Sequence, residues 1–166
     1  MRVLAVGGGA REHAIVASLA RAGAEVYACS KNRNPGIFRT AKEHILVDEM
    51  DVRKVVEFAR KKRAELAVIG PEAPLEVGLA DELETAGIPA ASPRKAAARI
   101  ETSKSFMRDL LAKHRVRGAV RFAVAESVED TERTLDLLGT DVVVKPTGLT
   151  GGKGVKVFGE HLMSRK

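Results

Sequence analysis

The chain has 166 residues, enough for one ordinary domain or for a small domain with part of another. Hydrophobic residues make up 45% and charged residues 30%, so the composition is globular and excludes intrinsic disorder. The apolar runs are too short for a membrane span or a signal peptide, and one cysteine excludes a disulfide framework, so we expect a cytoplasmic protein. A net charge of +6 favours phosphate-bearing partners, whereas 4% aromatic residues and no tryptophan argue against nucleic-acid binding.

Strands and helices are predicted to alternate up to residue 92. Apolar runs predict strands at 2–6, 25–30, 44–48, 66–70 and 88–92. Helical spacing of apolar residues predicts helices at 12–21 and at 75–86. It also predicts a helix between them that begins after Asp51, which is its expected cap. The polar segment 31–42 contains Asn34-Pro35-Gly36, which predicts a turn. This alternation is typical of an α/β domain with a Rossmann-like parallel sheet that is covered on both faces.

The pattern changes after Pro93. Helices are predicted at 94–99, 103–113 and 128–138, and strands at 119–125, 142–145 and 155–158. Thr102 or Ser103 is the expected cap of the second helix. We therefore divide the chain into an α/β domain at 1–92, a helical connection at 93–118 and a lobe at 119–166. The last part is too small for a robust core of its own.

A glycine-rich segment follows the first strand and opens a helix. Glycines allow a tight turn and let backbone amides approach an anion, and the helix amino terminus adds favourable partial charge. An arginine beside such a turn suits a phosphate. The sequence predicts a ligand-binding loop, with a ligand-free turn as the alternative; its residues are Gly7, Gly8, Gly9, Arg11 and Glu12.

The same segment departs from the dinucleotide-binding fingerprint, because Glu12 stands at its third glycine position. No carboxylate occupies positions 28–31, where NAD-binding proteins hold the ribose, so NAD is disfavoured. NADP stays open, because Ser30, Lys31 and Arg33 could meet a 2′-phosphate.

Gly70-Pro71-Glu72-Ala73-Pro74 follows another predicted strand. The two prolines restrict the backbone and hold Glu72 at the strand's carboxyl end, where a carboxylate suits an amine or a hydroxyl. We take Pro71 and Glu72 as candidate substrate-binding residues. A proline-bounded turn with Glu72 in the first turn of a helix is an equal alternative.

A lysine and a glycine-rich loop stand between two predicted strands near the end of the chain. The pattern predicts a mobile loop that closes over phosphates, with a flexible hairpin as the alternative. It is not a Walker A loop, because Thr147 stands at its first glycine and Gly154 at its Ser/Thr position. The candidate phosphate-binding residues are Lys145, Gly151, Gly152, Lys153 and Gly154.

The remaining polar residues give weaker signals. Lys104, taken alone, predicts only a solvated lysine after a helix cap. The four histidines have no metal-ligand spacing, and no catalytic triad is visible, so we assign no metal ligand and no catalytic residue.

Four stretches together resemble the phosphoribosylamine–glycine ligase family, also called glycinamide ribonucleotide synthetases. They are VLAVGGGAREHAI, LAVIGPEAPLEVGLADEL, ASPRKAAARIETSKSFMRDLL and VVVKPTGLTGGKGVKV. The Arg-Glu-His helix start and Gly-Pro-Glu-Ala-Pro-Leu are specific to this family. The lysine-and-glycine pattern is shared by ATP-grasp ligases in general.

The resemblance implies a pre-ATP-grasp domain followed by an incomplete ATP-grasp lobe. It also implies a reaction in purine biosynthesis, in which ATP activates glycine as an acyl phosphate and the amine of 5-phosphoribosylamine attacks it. On this basis, Gly7–Gly9, Arg11 and Glu72 would border the phosphoribosylamine pocket. Lys104 and Lys145 would contact the phosphates of ATP, and Gly151, Gly152 and Lys153 would form a lid over them.

The resemblance also has departures. Thr147 stands where many members have aspartate, and Ser92 where many have glycine. Family members are more than twice as long, and the resemblance assigns the Mg²⁺ ligands and the adenine-binding strand to the part that this chain lacks. We therefore expect a catalytically incomplete piece, or half of a split enzyme that needs a complementary chain. The alternatives are a non-catalytic binder of phosphoribosyl ligands and, with less support, an NADP-binding protein.

Overall fold

The structure is a computed structural model that describes residues 1–139, 141–151 and 153–161. The chain forms two compact units, Met1–Ala98 and Arg99–Lys166. The first unit contains a parallel sheet with helices, which confirms the predicted α/β class.

The first unit is built on a four-stranded parallel sheet with the strand order β3-β2-β1-β4. Its strands are β1 (Arg2–Val6), β2 (Glu25–Ser30), β3 (Glu43–Leu46) and β4 (Leu66–Ile69). The predicted fifth strand contributes one parallel bridge, between Ala67 and Ala90. The order of the strands reverses at β1, because β2 lies on one side of β1 and β4 on the other. In open α/β sheets, ligands bind outside the carboxyl ends of the strands at such a switch point.

The helices of the first unit cover both faces of the sheet. They are α1 (Ala10–Arg21), α2 (Pro35–Thr40), α3 (Val52–Lys61), α4 (Glu72–Glu76) and α5 (Leu79–Thr85), and α6 (Lys95–Thr102) follows. Successive β1 side chains point to opposite faces, so Leu4 packs in a cluster with Phe58 and Leu83, while Ala5 packs with Val16 and Ile37. No helix among the described residues has both the length and the apolar character needed to cross a bilayer.

Two helices of this unit differ from the prediction. Segment 35–40 is helical because the Asn34 side chain accepts hydrogen bonds from the amides of Gly36 and Ile37, and Pro35 occupies the first helical position. The helix predicted at 75–86 is divided by Gly78, whose φ of +90° lies in the left-handed region.

The second unit has less regular structure. It contains α7 (Lys104–Lys113), which Ser103 caps, α8 (Val128–Leu138), and the antiparallel pair β5 (Val143–Val144) and β6 (Lys156–Val157). The predicted strand at 119–125 is wrong, because this segment is irregular. A strand exists through its ladder hydrogen bonds, and in the described part of the chain β5 and β6 form a ladder with each other only.

We expect Leu4→Ala to lower the free energy of unfolding by about 2–5 kcal/mol, because it opens a cavity under a fully buried side chain. Leu46→Ala is the matched control in the same sheet, since this side chain is 62% exposed, and it is expected to lose less than about 1 kcal/mol. Urea unfolding followed by circular dichroism measures both values. Equal losses would contradict the assigned core.

Candidate functional site

The loop after β1 and the loop after β4 lie side by side at the switch point of the sheet, where the crevice of such folds is expected. Val6 pairs with Ile69 at the carboxyl ends of the two strands, so Gly7 and Gly70 begin neighbouring loops. The Gly7 amide donates to the Cys29 carbonyl (2.9 Å), and the Gly70 amide donates to the Val6 carbonyl (3.0 Å). The structure thereby brings the predicted residues of 7–12 and 70–72 together. We name this place the switch-point crevice.

A buried carboxylate connects the two loops. Glu12 is only 6% exposed, although it belongs to the first turn of α1. Its Oε2 accepts from the Gly9 amide at 2.7 Å, which satisfies one of the helix's unpaired amino-terminal amides. Its Oε1 accepts from Arg11 Nε at 3.1 Å. Both carboxylate oxygens are therefore hydrogen-bonded within the chain, and Glu12 determines the shape of the crevice.

Glycines surround this carboxylate because side chains would collide with it. A Cβ on Gly7 would lie 2.6 Å from Glu12 Cγ and 2.7 Å from Pro71 Cδ, and Gly7 also has a φ of +117°. A Cβ on Gly9 would lie 2.6 Å from Glu12 Oε2, and one on Gly70 would overlap the same side chain. Real Cβ atoms do not come so close to other atoms, so Gly70 belongs to the same cradle as the glycines after β1.

Arg11 joins the first turn of α1 to the loop after β4. Its guanidinium donates to the Gly70 carbonyl at 2.7 Å and to Glu72 Oε1 at 3.1 Å. Hydrogen bonds to Glu12 and then to Glu72 raise the pKa of Arg11 above its ordinary value. The side chain stays 58% exposed, and that of Glu72 is 34% exposed, so both can still meet a ligand. Their roles toward a ligand stay predictions.

Two asparagines that the sequence analysis did not assign to the site hold the glycine loop. Asn32 Nδ2 donates to the Gly8 carbonyl at 3.0 Å. Asn34 Nδ2 donates to the carbonyls of Gly8 and Gly9 at 3.1 and 3.3 Å. They lie 24 and 26 positions along the chain from Gly8, so no local spacing signals these contacts.

The hydroxyl of Ser30 is hydrogen-bonded to the segment that carries the two asparagines. Ser30 is fully buried at the end of β2, and its Oγ lies 2.7 Å from both the Asn32 carbonyl and His44 Nε2. The hydroxyl has one proton, which it donates to the carbonyl, so His44 Nε2 carries a proton and donates to Ser30. Burial and, to a smaller extent, the charge of Arg33 lower the pKa of His44.

The second unit contains a cleft of about 680 Å³. It is lined by Lys104 and Arg108 from α7 and by Lys145, which follows β5, together with apolar side chains such as Val124 and Leu135. The structure therefore brings Lys104 and Lys145, predicted separately, to one cleft. Cations beside apolar walls suit a phosphorylated ligand with an apolar part.

The glycine-rich loop between β5 and β6 is hydrogen-bonded to the first residue of α7. Lys104 donates from its amide to the Thr147 carbonyl at 2.8 Å and from Nζ to the Gly148 carbonyl at 2.6 Å. Gly151 has a φ of +57°, and a Cβ on Gly154 would lie 2.5 Å from Pro146 Cγ. The Lys153 amide donates to the Thr150 carbonyl at 3.1 Å. Gly152 lies outside the described residues.

The described residues include no group of three His, Cys, Asp or Glu side chains that could hold a metal ion. Magnesium binds through carboxylates and waters together with substrate phosphates. Among the described residues that line the cleft, Asp141 is the one carboxylate. The described part of the cleft therefore fits phosphates but does not fit a complete magnesium site.

Two family models match this chain in succession. The model described as phosphoribosylglycinamide synthetase, N domain, matches residues 1–101. The model described as phosphoribosylglycinamide synthetase, ATP-grasp (A) domain, matches residues 102–165. The first model alone covers more than half of the chain.

Curated relatives named phosphoribosylamine–glycine ligase align with nearly the whole chain. The protein of Pyrococcus abyssi is 52% identical over 162 residues, and that of Methanococcus vannielii is 53% identical over 167 residues. Each match covers 98% of this chain but only 37% and 38% of the respective relatives. The chain therefore spans less than two fifths of the length of these proteins.

Solved structures have the same fold. The phosphoribosylamine–glycine ligase of Thermotoga maritima matches with a TM-score of 0.72 and 28% identity, over 95% of this chain and 36% of that one. The N5-carboxyaminoimidazole synthetase of Staphylococcus aureus complexed with ADP matches with a TM-score of 0.72 and 16% identity, over 97% of this chain and 42% of that one. The second likeness concerns the fold alone.

We expect Glu12→Gln to lower the free energy of unfolding by about 1–3 kcal/mol, because an amide cannot accept from both Gly9 and Arg11. Glu57→Gln is the control, since this side chain is 66% exposed on α3, and it is expected to change stability by less than about 0.5 kcal/mol. Chemical unfolding measures both values. If Glu12→Gln behaves like the control, the carboxylate does not hold the loops.

The lowered pKa of His44 predicts a loss of stability in mild acid. Below about pH 6.5, His44 binds a proton more readily in the unfolded chain than in the folded one, so the free energy of unfolding falls as the pH drops. His44→Gln keeps a donor toward Ser30 but does not titrate, and its stability should therefore vary less between pH 7.5 and 5.5. Equal pH dependence in both proteins would exclude His44 as the cause.

Proposed function

The chain belongs to the phosphoribosylglycinamide synthetase family, and on that premise we propose that it is the amino-terminal part of a phosphoribosylamine–glycine ligase. The proposed reaction joins glycine to 5-phosphoribosylamine and converts ATP to ADP and phosphate. The observation that carries the proposal is the occurrence, on one chain, of the switch-point crevice and the cationic cleft with its glycine-rich loop.

The reaction has two steps. A carboxylate oxygen of glycine attacks the γ-phosphorus of ATP, the bond from that phosphorus to the bridging oxygen breaks, and ADP leaves. The amine nitrogen of 5-phosphoribosylamine then attacks the acyl carbon of glycyl phosphate. The bond between carbon and the phosphate oxygen breaks, phosphate leaves with the electron pair, and the nitrogen loses a proton.

The switch-point crevice suits 5-phosphoribosylamine because it offers groups for both ends of that molecule. The Gly9 amide is bonded to Glu12, but the first turn of α1 is also exposed at Ala10 and Arg11, and helix amides at such positions favour a phosphate. The partly exposed Glu72 carboxylate can accept hydrogen bonds from an amine or from ribose hydroxyls. Arg11 holds Glu72 in place, which supports a fixed orientation of the substrate.

The cationic cleft suits the phosphates of ATP. Lys104 and Lys145 supply positive charge, which stabilises the charge that spreads over the phosphoryl group during transfer. Lys104 also holds the glycine-rich loop through its bond to Gly148, so this residue positions the loop that would cover the phosphates. We propose Gly151, Gly152, Lys153 and Gly154 as that cover. The proposed reaction uses ATP with Mg²⁺, whose ligands are assigned to no described residue.

Because the chain spans 37% of its relatives, the complete reaction is proposed for this chain together with the part of the ligase that it does not cover. That part is either continuous with it or a complementary chain. We propose a cytoplasmic location with this reaction. The crevice lies within Met1–Ala98, so the alternative of a non-catalytic phosphoribosyl-binding module keeps a specific structural basis.

The NADP alternative loses one of its expected contacts. Ser30 was a candidate for the 2′-phosphate, but this residue is fully buried and its hydroxyl is shared between the Asn32 carbonyl and His44. A fluorescence titration with NADPH that shows no binding would exclude this alternative.

We expect the chain, joined to the remaining part of the Pyrococcus abyssi relative, to form ADP over many turnovers only when glycine and 5-phosphoribosylamine are both present, because the second step must consume glycyl phosphate before the next turnover. Lys145→Ala in this chimera should lower kcat/KM by about 100-fold, because a cation beside the transferred phosphoryl group is lost. A coupled assay of ADP formation measures the rates.

Lys113→Ala is the matched control, since Lys113 is an exposed residue in the last turn of α7 and does not line the cleft. This variant should keep the rate of the unchanged chimera. A chimera that is folded but forms no ADP, under conditions in which the intact relative is active, would contradict the proposed function.

A further inference from the structure

The carboxamide of Asn34 makes hydrogen bonds both to helix α2 and to the glycine loop after β1. Its Oδ1 accepts from the amides of Gly36 and Ile37 at 2.9 and 3.3 Å, which caps α2. Both partners are donors, so this end of the group is the oxygen. Its Nδ2 end consequently faces the carbonyls of Gly8 and Gly9, to which it donates. The contacts at the two ends give the same orientation of the amide.

These contacts fix the peptide planes of the glycine loop. In a trans peptide the carbonyl and the amide of the next residue point in opposite directions. The Gly8–Gly9 peptide is held at its carbonyl by Asn32 and Asn34 and at its amide by Glu12. The Gly9–Ala10 peptide is held at its carbonyl by the His13 amide at 3.0 Å, within α1, and by Asn34 at 3.3 Å, so its amide points away from Asn34.

Glycine needs such external support more than other residues. Without a Cβ, a run of three glycines has many backbone conformations of similar energy, and a loop that must present amides to an anion loses affinity if those conformations are populated. Asn34 is partly buried while Gly8 is buried, so the contact is shielded from competing water.

We propose that Asn34 is a positioning residue of the switch-point crevice: it sets the Gly8–Gly9 peptide and joins it to the first turn of α1, so that this amino terminus receives the phosphate of a phosphoribosyl ligand. The inference rests on the proposed function of the crevice. It assigns to the Asn-Pro-Gly segment a role in binding in addition to the capping of α2.

Asn34→Ser and Asn34→Asp separate the two roles of the side chain. Serine and aspartate cap helices about as well as asparagine does, so α2 should remain formed in both variants. Neither residue can replace the Nδ2 donor, because serine is too short and aspartate presents a second oxygen to the two carbonyls. Serine adds no charge, so it tests positioning without electrostatic repulsion of the ligand.

The experiment is an NMR titration of the folded chain with ribose 5-phosphate, with the amides of Gly9, Ala10 and Ile37 as reporters. In the unchanged protein, the Gly9 and Ala10 signals should shift on titration. Both variants should bind at least about tenfold more weakly, in line with the loss of one hydrogen-bonded contact. The Ile37 signal and the thermal unfolding midpoint show whether α2 is still capped and the unit folded.

Ser127→Asp is the matched control, because it places the same charge at the cap of α8 in the second unit, and it should leave the affinity unchanged. Equal affinity in the unchanged protein and in both Asn34 variants would overturn the role of Asn34 while leaving the crevice intact. A loss in Asn34→Asp alone would also overturn it, because repulsion would then be the cause. No shift in the unchanged protein would overturn both the crevice and this inference.

Discussion

The Glu12 carboxylate lies between the loop after β1 and the loop after β4. It leaves no room for a side chain at the neighbouring positions of either loop, so these positions are glycines. Gly7, Gly9 and Gly70 lie so close to it that a Cβ on any of them would collide with the Glu12 side chain. The carboxylate in turn accepts hydrogen bonds from the Gly9 amide and from Arg11. A buried charge is stable only when such partners are present, so the glycines, the carboxylate and the guanidinium form one interdependent group.

This group also determines the electrostatic character of the crevice. Arg11 contacts two carboxylates, those of Glu12 and Glu72, so its positive charge is already compensated within the protein. Attraction of a phosphate must therefore come mainly from the amides at the amino terminus of α1. The partly exposed Glu72, by contrast, attracts an amine. A ligand with a phosphate at one end and an amine at the other, such as the proposed 5-phosphoribosylamine, matches both features better than a simple anion does.

The sequence predicts the elements whose signals are local and misses the contacts that join distant segments. The four strands of the sheet are predictable because each is a short apolar run beside a turn. Helix α2 is missed because Pro35 and Gly36 indicate a turn, although Asn34 and Pro35 are also the residues that begin helices. Gly70 and Glu72 are found by their motif, but their bonds to Arg11 depend on β4 lying next to β1. The segment 119–125 has strand character in its sequence but receives no ladder in the described structure.

The two units differ in how far their own side chains stabilise them. The fully or nearly fully buried apolar residues in the described part of the chain all lie within Met1–Ala98, from Val3 to Ala98. In the second unit, Val120, Val124, Val143 and Val144 are between 42% and 57% exposed. Because buried apolar area is the main stabilising contribution, the first unit can keep the geometry of the switch-point crevice by itself. The proposed ligand binding there therefore depends on local contacts of Glu12 and Asn34, whereas the proposed phosphoryl transfer depends on a unit in which several apolar side chains are in contact with water.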